Sequence, residues 1–465
     1  MSSPVALTAA MVAEATRGHV AAGDPATRFT GVSTDTRTIT PGTLFVALRG
    51  DRFDAHAFVA DAVRGGATGV VVTSVPGGAL DVVVIVVPDT LRALQHLGGA
   101  IRRASGTPVV AITGSAGKTT TKEVTGALLA AGGLNVYRNP GNLNNHIGLP
   151  LSLTQLTAGY DVAVVELGMN HEGEIRALVA LAEPDVRVWI NVGDAHVGHF
   201  GSREKVADAK AEVLEGARPE TLLVANADDG LVTARIAGFA GRTVTFGESA
   251  GADVRATRVT DRGFDGVDAH VTTRRGGIDI TLPLPGRVNL SNVLAAIAVA
   301  IEFNVPLALM TARIAALTPV SRRGSSVVLP SGVRVVDDSY NASPAAVEAT
   351  LTALGRTSVG GRRIAVIGEM LELGSSSEAL HAACGQVAAR TGVDVLVAIG
   401  GPSAQALADG AVRGGLAPAR VHRFADSASA AAAMHGLVAP GDVVLVKGSR
   451  GTRTDVVVDR LMAVA

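Results

Sequence analysis

Lys118 and Thr119 close the run Thr-Gly-Ser-Ala-Gly-Lys-Thr-Thr at residues 113–120, and their types and spacing suit a nucleotide triphosphate. The apolar residues 109–112 before the run read as a buried parallel strand, and Val124, Leu128 and Ala131 after it recur at helical spacing. Between strand and helix, Gly114, Ser115, Ala116 and Gly117 would let backbone N–H groups approach phosphate oxygens, with the helix N-terminus adding a favourable field for anions. Lys118 would reach the outer phosphates and Thr119 would offer its hydroxyl to a magnesium ion, with Thr120 next in the ATP-binding run. Two residues separate Gly114 from Gly117, where the common phosphate loop has four, so an ordinary strand-to-helix turn is the plain alternative.

Other residues could complete such a site. Residues 161–166 form an apolar strand ending on Glu166, and ligands sit at the carboxyl edge of open α/β sheets, so Glu166 is a magnesium candidate. His196 lies in a glycine- and histidine-rich loop after another apolar strand. In the following helix, which Ser202 can cap, Val206, Ala209, Lys210 and Val213 share one face. Glu204, Lys205, Asp208, Glu212 and Glu215 lie mostly on the other side. An ammonium on an apolar face is expensive, so Lys210 either snorkels outward or carries a depressed pKa. A depressed pKa would let it capture carbon dioxide as a metal-binding carbamate. Asn289 and Asn292 stand three apart at a helix start, placed to read an adenine edge or simply to cap. Two further strands run into loops that are either anion-facing or plain surface turns, one through Asp338 and Asn341, the other through Lys447, Ser449 and Arg450.

The elements that must position these residues read as three α/β units. In the first, helices are expected at 7–16 and 57–64 and strands at 29–33, 43–48, 69–73 and 82–87. A boundary falls at Gly106-Thr107-Pro108. Strands at 109–113, 161–167, 186–192 and 221–226 then alternate with helices at 120–131, 174–182 and 202–217, which argues a mostly parallel sheet covered on both faces. Residues 255–259, 266–273 and 278–284 read as an antiparallel addition, followed by a helix at 289–303. Beyond Leu317-Thr318-Pro319, strands at 334–338, 363–367, 393–399 and 442–446 and helices at 345–354, 378–390 and 404–410 make a second doubly wound sheet. The expected domains are 1–106, 107–318 and 319–465.

Composition narrows the class. A net charge of −1, 3% aromatics and no basic run disfavour a nucleic-acid surface. Cys384 is the single cysteine, so no internal disulfide forms, as expected of a reducing compartment. The N-terminus lacks the pattern of a signal peptide and the apolar runs are short, so a cytoplasmic protein without membrane insertion is expected.

Taken in order, these motifs resemble the Mur ligases, the ATP-dependent amide-forming enzymes of peptidoglycan synthesis. The resemblance spans the whole chain. It implies a central P-loop ATPase domain flanked by a small uridine-binding α/β domain and a C-terminal Rossmann-like domain. Residues 113–120 match the family's shortened phosphate loop. By the same resemblance Glu166, His196 and Lys210 match its metal-binding glutamate, its histidine and its carbamylated lysine. Asn289 and Asn292 match the adenine-side asparagines, Arg323 an arginine near the γ-phosphate, and Asp338 an acid near the ribose and phosphates.

Residues 337–342, 368–374, 166–171 and 142–150 look most like the members that add D-alanyl-D-alanine to UDP-N-acetylmuramoyl-tripeptide. The first unit, with Thr36, Asp51, Arg52 and Phe53, and the loop with Asn144 and Asn145, resemble the part that binds the UDP-substrate. An Asp-Asn-Pro-Arg motif, carried by members that add diaminopimelate, is absent. Ala116 stands where asparagine or serine is common, and Ser321-Arg322-Arg323 replaces a glycine–arginine pair. The resemblance implies a monomeric ligase using ATP and two magnesium ions, acting in cell-wall synthesis and so in cell shape and division. A P-loop regulator without ligation chemistry and a folylpolyglutamate-synthase-like ligase are the alternatives.

Overall fold

The computed structural model describes residues 4–50, 53–78 and 80–463; Asp51 and Arg52 lie outside them. Three principal sheets follow one another along the chain. The first has five strands in the order His19–Ala22, Val83–Val86, Ala67–Val72, Thr43–Val46, Gly31–Ser33, antiparallel only at its first pair.

The central sheet has nine strands. Its order is Gly276–Leu282, Val267–Thr273, Val254–Asp261, Arg242–Gly247, Leu222–Asn226, Val186–Trp189, Val109–Thr113, Val162–Glu166, Val136–Arg138. The hairpins joining the first three of these are antiparallel and the rest of the sheet is parallel, as expected of the 255–284 region. Successive side chains of a strand point to opposite faces, and here both faces are covered. Val109, Ala111, Ala163 and Val165 enter one core, Val110, Ile112, Val162 and Val164 the other. This two-sided burial explains the unbroken apolar runs in the sequence. The second core is closed by the helices Lys118–Ala131, Gly286–Glu302 and Leu307–Ala315.

The third sheet runs Ser325–Val328, Arg334–Asp338, Val443–Lys447, Arg363–Gly368, Val395–Ile399, Val421–Phe424, parallel except at its first pair.

Several elements differ from expectation. A sixteen-residue helix, Thr90–Ser105, has no counterpart among the expected elements. Asp89 caps it, and its buried Leu94, Leu97 and Ile101 share a core with Leu149, Leu153 and Leu178 of the central unit. Arg102 anchors the helix by donating to the carbonyls of Ala182 and Glu183 and to Asp185. The helix expected at 202–217 is shorter, an α-helix over Arg203–Ala211 and a 3-10 turn over Glu212–Leu214. Glu212 is not on an exposed face. It is buried, and its carboxylate accepts from the amides of Gly173 at 2.6 Å and Arg176 at 3.0 Å. It thereby satisfies the N-terminus of the helix Glu174–Ala182, where a negative charge is favoured.

Candidate active site at the carboxyl edge of the central sheet

Strand pairing sets the geometry. Val109–Thr113 lies between Val162–Glu166, with Glu166 opposite Ile112, and Val186–Trp189, with Trp189 opposite Thr113. The ends of all three strands therefore open on one edge. Gly117 adopts φ +85°, and a side chain there would collide with Asn292 Oδ1 at 2.4 Å, so both its backbone and its surroundings require glycine. The helix starting at Lys118 leaves its first amides without intrahelical acceptors, directed at the loop. Lys118 Nζ donates 2.7 Å back to the Gly114 carbonyl, and burial lowers its pKa.

Asn191, which the sequence did not single out, clamps the loop. Its Oδ1 accepts from the amides of Ser115 (2.9 Å) and Ala116 (3.0 Å), and its Nδ2 donates to the Ala116 carbonyl at 3.0 Å. Asn292 is buried and accepts from Thr121 Oγ1 at 3.2 Å while donating to Asn289 Oδ1, so it supports the loop from below. Asn289 and Arg323 line a cavity of about 270 Å³ beside Thr120 and Glu123. Arg323 stacks over the Tyr340 ring at 4.2 Å, a cation–π contact that carries the third unit to the cavity's rim.

Glu166 is buried, and one carboxylate oxygen, Oε1, has no hydrogen bond. Lys122, also missed, is 1% exposed and approaches that oxygen at 3.4 Å without hydrogen-bond alignment; its Nζ donates instead to the Asn139 carbonyl at 2.6 Å. Lys210 is 2% exposed, as its place on an apolar helix face implied, and makes no hydrogen bond or ion pair among the described residues. Burial pushes its pKa well below that of an ordinary lysine, and the Lys118 charge adds to the effect. His196, at φ +67°, is lowered to about 4, chiefly by burial and then by Lys210 and Lys118. Its Nδ1 has no hydrogen bond, although Glu372 Oε2 of the third unit lies 3.3 Å away.

Such orphaned buried atoms are rare in folded proteins. Glu166 and His196 present two at the edge where the phosphate loop opens, and the buried Lys210 has no hydrogen bond or ion pair among the described residues. No group of three or more His, Cys, Asp or Glu able to hold a metal occurs among the described residues. The donors that are present fit magnesium nonetheless, because that ion takes one or two carboxylates together with phosphate oxygens and water.

In the third unit Lys447 Nζ bonds Asp338 Oδ2 at 2.6 Å and the Asn341 carbonyl at 3.0 Å. Burial raises the Asp338 pKa against the opposing pull of Lys447. Ser449 Oγ accepts from the Leu371 amide at 3.0 Å, and Arg450 is exposed. In the first unit Thr36 opens a 3-10 turn capped by Asp35, while Phe53 is 60% exposed and stacks flat on Phe58 at 5.0 Å. Asn145 Oδ1 accepts from the amides of Ile147 and Gly148, and the Asn144 carbonyl accepts from Gly168 at 2.8 Å, which brings this loop to the segment after Glu166.

Comparison with known proteins agrees with this arrangement. Residues 112–300 match the Mur ligase middle domain and residues 322–450 the Mur ligase glutamate ligase domain. The UDP-N-acetylmuramoyl-tripeptide--D-alanyl-D-alanine ligase of Escherichia coli is 37% identical over 434 residues, 92% of this chain and 93% of its own. The crystal structure of MurF from Acinetobacter baumannii superposes with a TM-score of 0.89 at 31% identity, covering 99% of both chains. MurF ligase from Thermotoga maritima, solved in complex with ADP, superposes at 0.79 with 28% identity, covering 93% of this chain and 97% of its own. With both central and C-terminal family domains present and this identity sustained over nearly the full length, the chain belongs to the Mur ligase family, among its UDP-N-acetylmuramoyl-tripeptide--D-alanyl-D-alanine ligases.

Proposed function

We propose that the protein is the ATP-dependent ligase that joins D-alanyl-D-alanine to the peptide of UDP-N-acetylmuramoyl-tripeptide, making the pentapeptide precursor of peptidoglycan. The observation that carries the reading is the convergence of Lys118, Glu166, His196 and Lys210 on one sheet edge, where Glu166 Oε1 and His196 Nδ1 have no hydrogen bond and burial lowers the pKa of both lysines. Similarity over 92% of the chain, first unit included, supports it over the folylpolyglutamate-synthase-like alternative.

The peptide's terminal carboxylate attacks the γ-phosphorus of ATP, releasing ADP and leaving an acyl phosphate. The dipeptide amine then attacks the acyl carbon, a proton is lost from nitrogen, and phosphate departs as the amide forms. A free carboxylate is a poor electrophile, so phosphorylation supplies its leaving group. The amides of residues 114–120 cradle the phosphates, and Lys118 swings from the Gly114 carbonyl to neutralise charge on the transferring group. Asn289, Asn292 and Arg323 form the adenine and γ-phosphate sides, and Asp338 faces the ribose.

Magnesium, when bound, supplies charge neutralisation of the triphosphate; Thr119 and Glu166 would hold one ion and His196 a second. Lys210, its pKa lowered by burial, would add its nitrogen to carbon dioxide with loss of a proton, and the resulting carbamate would help to align the second ion. Thr36, Asp51, Arg52, Phe53, Asn144 and Asn145 bind the UDP-substrate, while Asn341, Lys447, Ser449 and Arg450 form the third-unit loops over the reaction. The corresponding domains are 1–106, 107–318 and 319–465. Among the described residues no helix is long and apolar enough to cross a membrane.

A phosphate-release assay tests the reading. Turnover should require ATP, UDP-N-acetylmuramoyl-tripeptide and D-alanyl-D-alanine together. Equal turnover with diaminopimelate or lysine as the amine would move the protein to a neighbouring ligase class, and hydrolysis without an amine would make it a P-loop regulator.

A further inference from the structure

On the flank of the central unit a cavity of about 410 Å³ lies between the helix Glu174–Ala182 and the segment 215–221. Its walls include Arg176, Val179 and Ala180 from the helix, Pro184 beyond it, Arg218 from the segment and Arg187 from the strand Val186–Trp189. Residues 176, 179, 180 and 183 recur at helical spacing, so the groove follows a single helix face for roughly 10 Å. None of these residues belongs to the nucleotide, metal or UDP-substrate positions above. The volume falls within the range that small-molecule sites occupy.

The charges around the groove pair off except at one residue. Arg176 pairs with Glu215 at 2.6 Å, Arg218 with Glu220 at 3.1 Å, Arg102 with Asp185 at 2.7 Å and Arg103 with Glu183 at 2.8 Å. Arg187 is 2% exposed and has no carboxylate partner among the described residues. Its Nη1 donates to the carbonyls of Val213 and Glu215, each at 2.6 Å, while Nε and Nη2 make no hydrogen bond. Burial, and then the Arg218 charge, pushes its pKa down to about 10, so it stays protonated at neutral pH. A buried cation met only by neutral carbonyls leaves its surroundings short of one negative charge. A guanidinium matches the planar geometry of a carboxylate, and the apolar wall of Val179, Ala180 and Pro184 suits an organic body rather than a bare inorganic ion.

We propose that this groove is a second ligand site, taking a small organic acid whose single carboxylate meets Arg187 beside Arg218 while its apolar body lies along Val179, Ala180 and Pro184. The site stands independently of the ligase reading.

Isothermal titration of the full chain saturated with ADP and magnesium, so that the phosphate loop is filled, tests it with benzoate and its neutral amide, benzamide. Benzoate should bind about tenfold more tightly than benzamide, as a charge-assisted hydrogen bond implies. Ala180 is exposed, so Ala180→Glu sets a carboxylate in the groove without disturbing the core. It should weaken benzoate about tenfold and leave the affinity for ADP unchanged. Arg187→Met should remove the preference for benzoate over benzamide; if that variant fails to fold, Ala180→Glu decides alone. No benzoate binding, equal affinity for benzoate and benzamide, or benzoate binding that survives Ala180→Glu would overturn the proposal. Arg187 would then be a structural cation that holds the Val213 and Glu215 carbonyls. Inorganic phosphate binding as tightly as benzoate would also overturn it, by making the groove a general anion site.

Discussion

Lys210 in the central unit and Lys447 in the third meet the same problem and resolve it differently. Both are almost wholly buried, at 2% and 4% exposure, near the carboxyl edges of parallel sheets. Lys447 is answered from within the chain by Asp338 and the Asn341 carbonyl. Lys210 has no partner among the described residues, and burial drives it toward the neutral amine. A buried charge is retained only when paired, neutralised or reserved for a ligand. The third-unit edge is thus internally compensated and the central edge is left open for substrate atoms. Lys122 sharpens the contrast, because it is as buried as Lys210 and yet answered by the Asn139 carbonyl and Glu123.

The largest effect should come from the open edge. Lys210→Ala should abolish turnover, and acetate or formate should restore part of it by standing in for the carbamate. A fully active variant would remove the reason for separating the two lysines. Its stability should not fall by the amount a broken buried pair costs.

Lys447→Met should add a loss of stability that Lys210→Ala lacks. It strands Asp338 in a buried site without its counter-ion, at a cost of about 3 kcal/mol in urea unfolding. Unchanged stability would instead show that Asp338 does not depend on Lys447 for its charge compensation.

A smaller, pH-dependent effect belongs to the third unit. His381 is fully buried, its Nε2 accepts from Met370 and its Nδ1 donates to the Ser377 carbonyl, so it is held neutral and burial lowers its pKa. The unfolded chain therefore takes up the proton first as pH falls. The stabilisation is complete above the ordinary histidine value of about 6.5 and is lost as pH drops toward the folded value. Denaturation midpoints between pH 7.5 and pH 5, for wild type against His381→Gln, should diverge above that value and converge below it.

The least effect is a null. Cys384 is 3% exposed and burial pushes its thiol up to about 12, so alkylation at pH 8 should wait for unfolding. Rapid labelling of the native protein would show that the third unit opens far more readily than its packing implies.

The contrast between the lysines was only half legible in the sequence. The phosphate loop, Glu166 and the apolar-face Lys210 could be read because strands buried on both faces give unbroken apolar runs and a helix gives a clean stripe. Lys122 carried a signal that went unused: lysine accounts for only five of the 41 basic residues, and four of the five stand at the two sheet edges. In a chain that meets its surface-charge needs with arginine, a lysine marks a special place. Asn191 gave no local sign, since an asparagine after a strand looks like a turn residue until tertiary contacts place it. The short edge strands Val136–Arg138, Ser325–Val328 and Val421–Phe424 were invisible for want of length. The helix Thr90–Ser105 was readable in principle from its Asp89 cap and the spacing of Leu94, Leu97 and Ile101.

The proposed carbamate would be directly observable. Protein equilibrated with ¹³C-labelled bicarbonate near neutral pH should give a single protein-bound carbamate carbon resonance in the ¹³C spectrum, missing from Lys210→Ala and lost on acidification. A wild-type enzyme that turns over fully after carbon dioxide has been exhaustively removed, and that gives no such resonance, would contradict the assignment of Lys210.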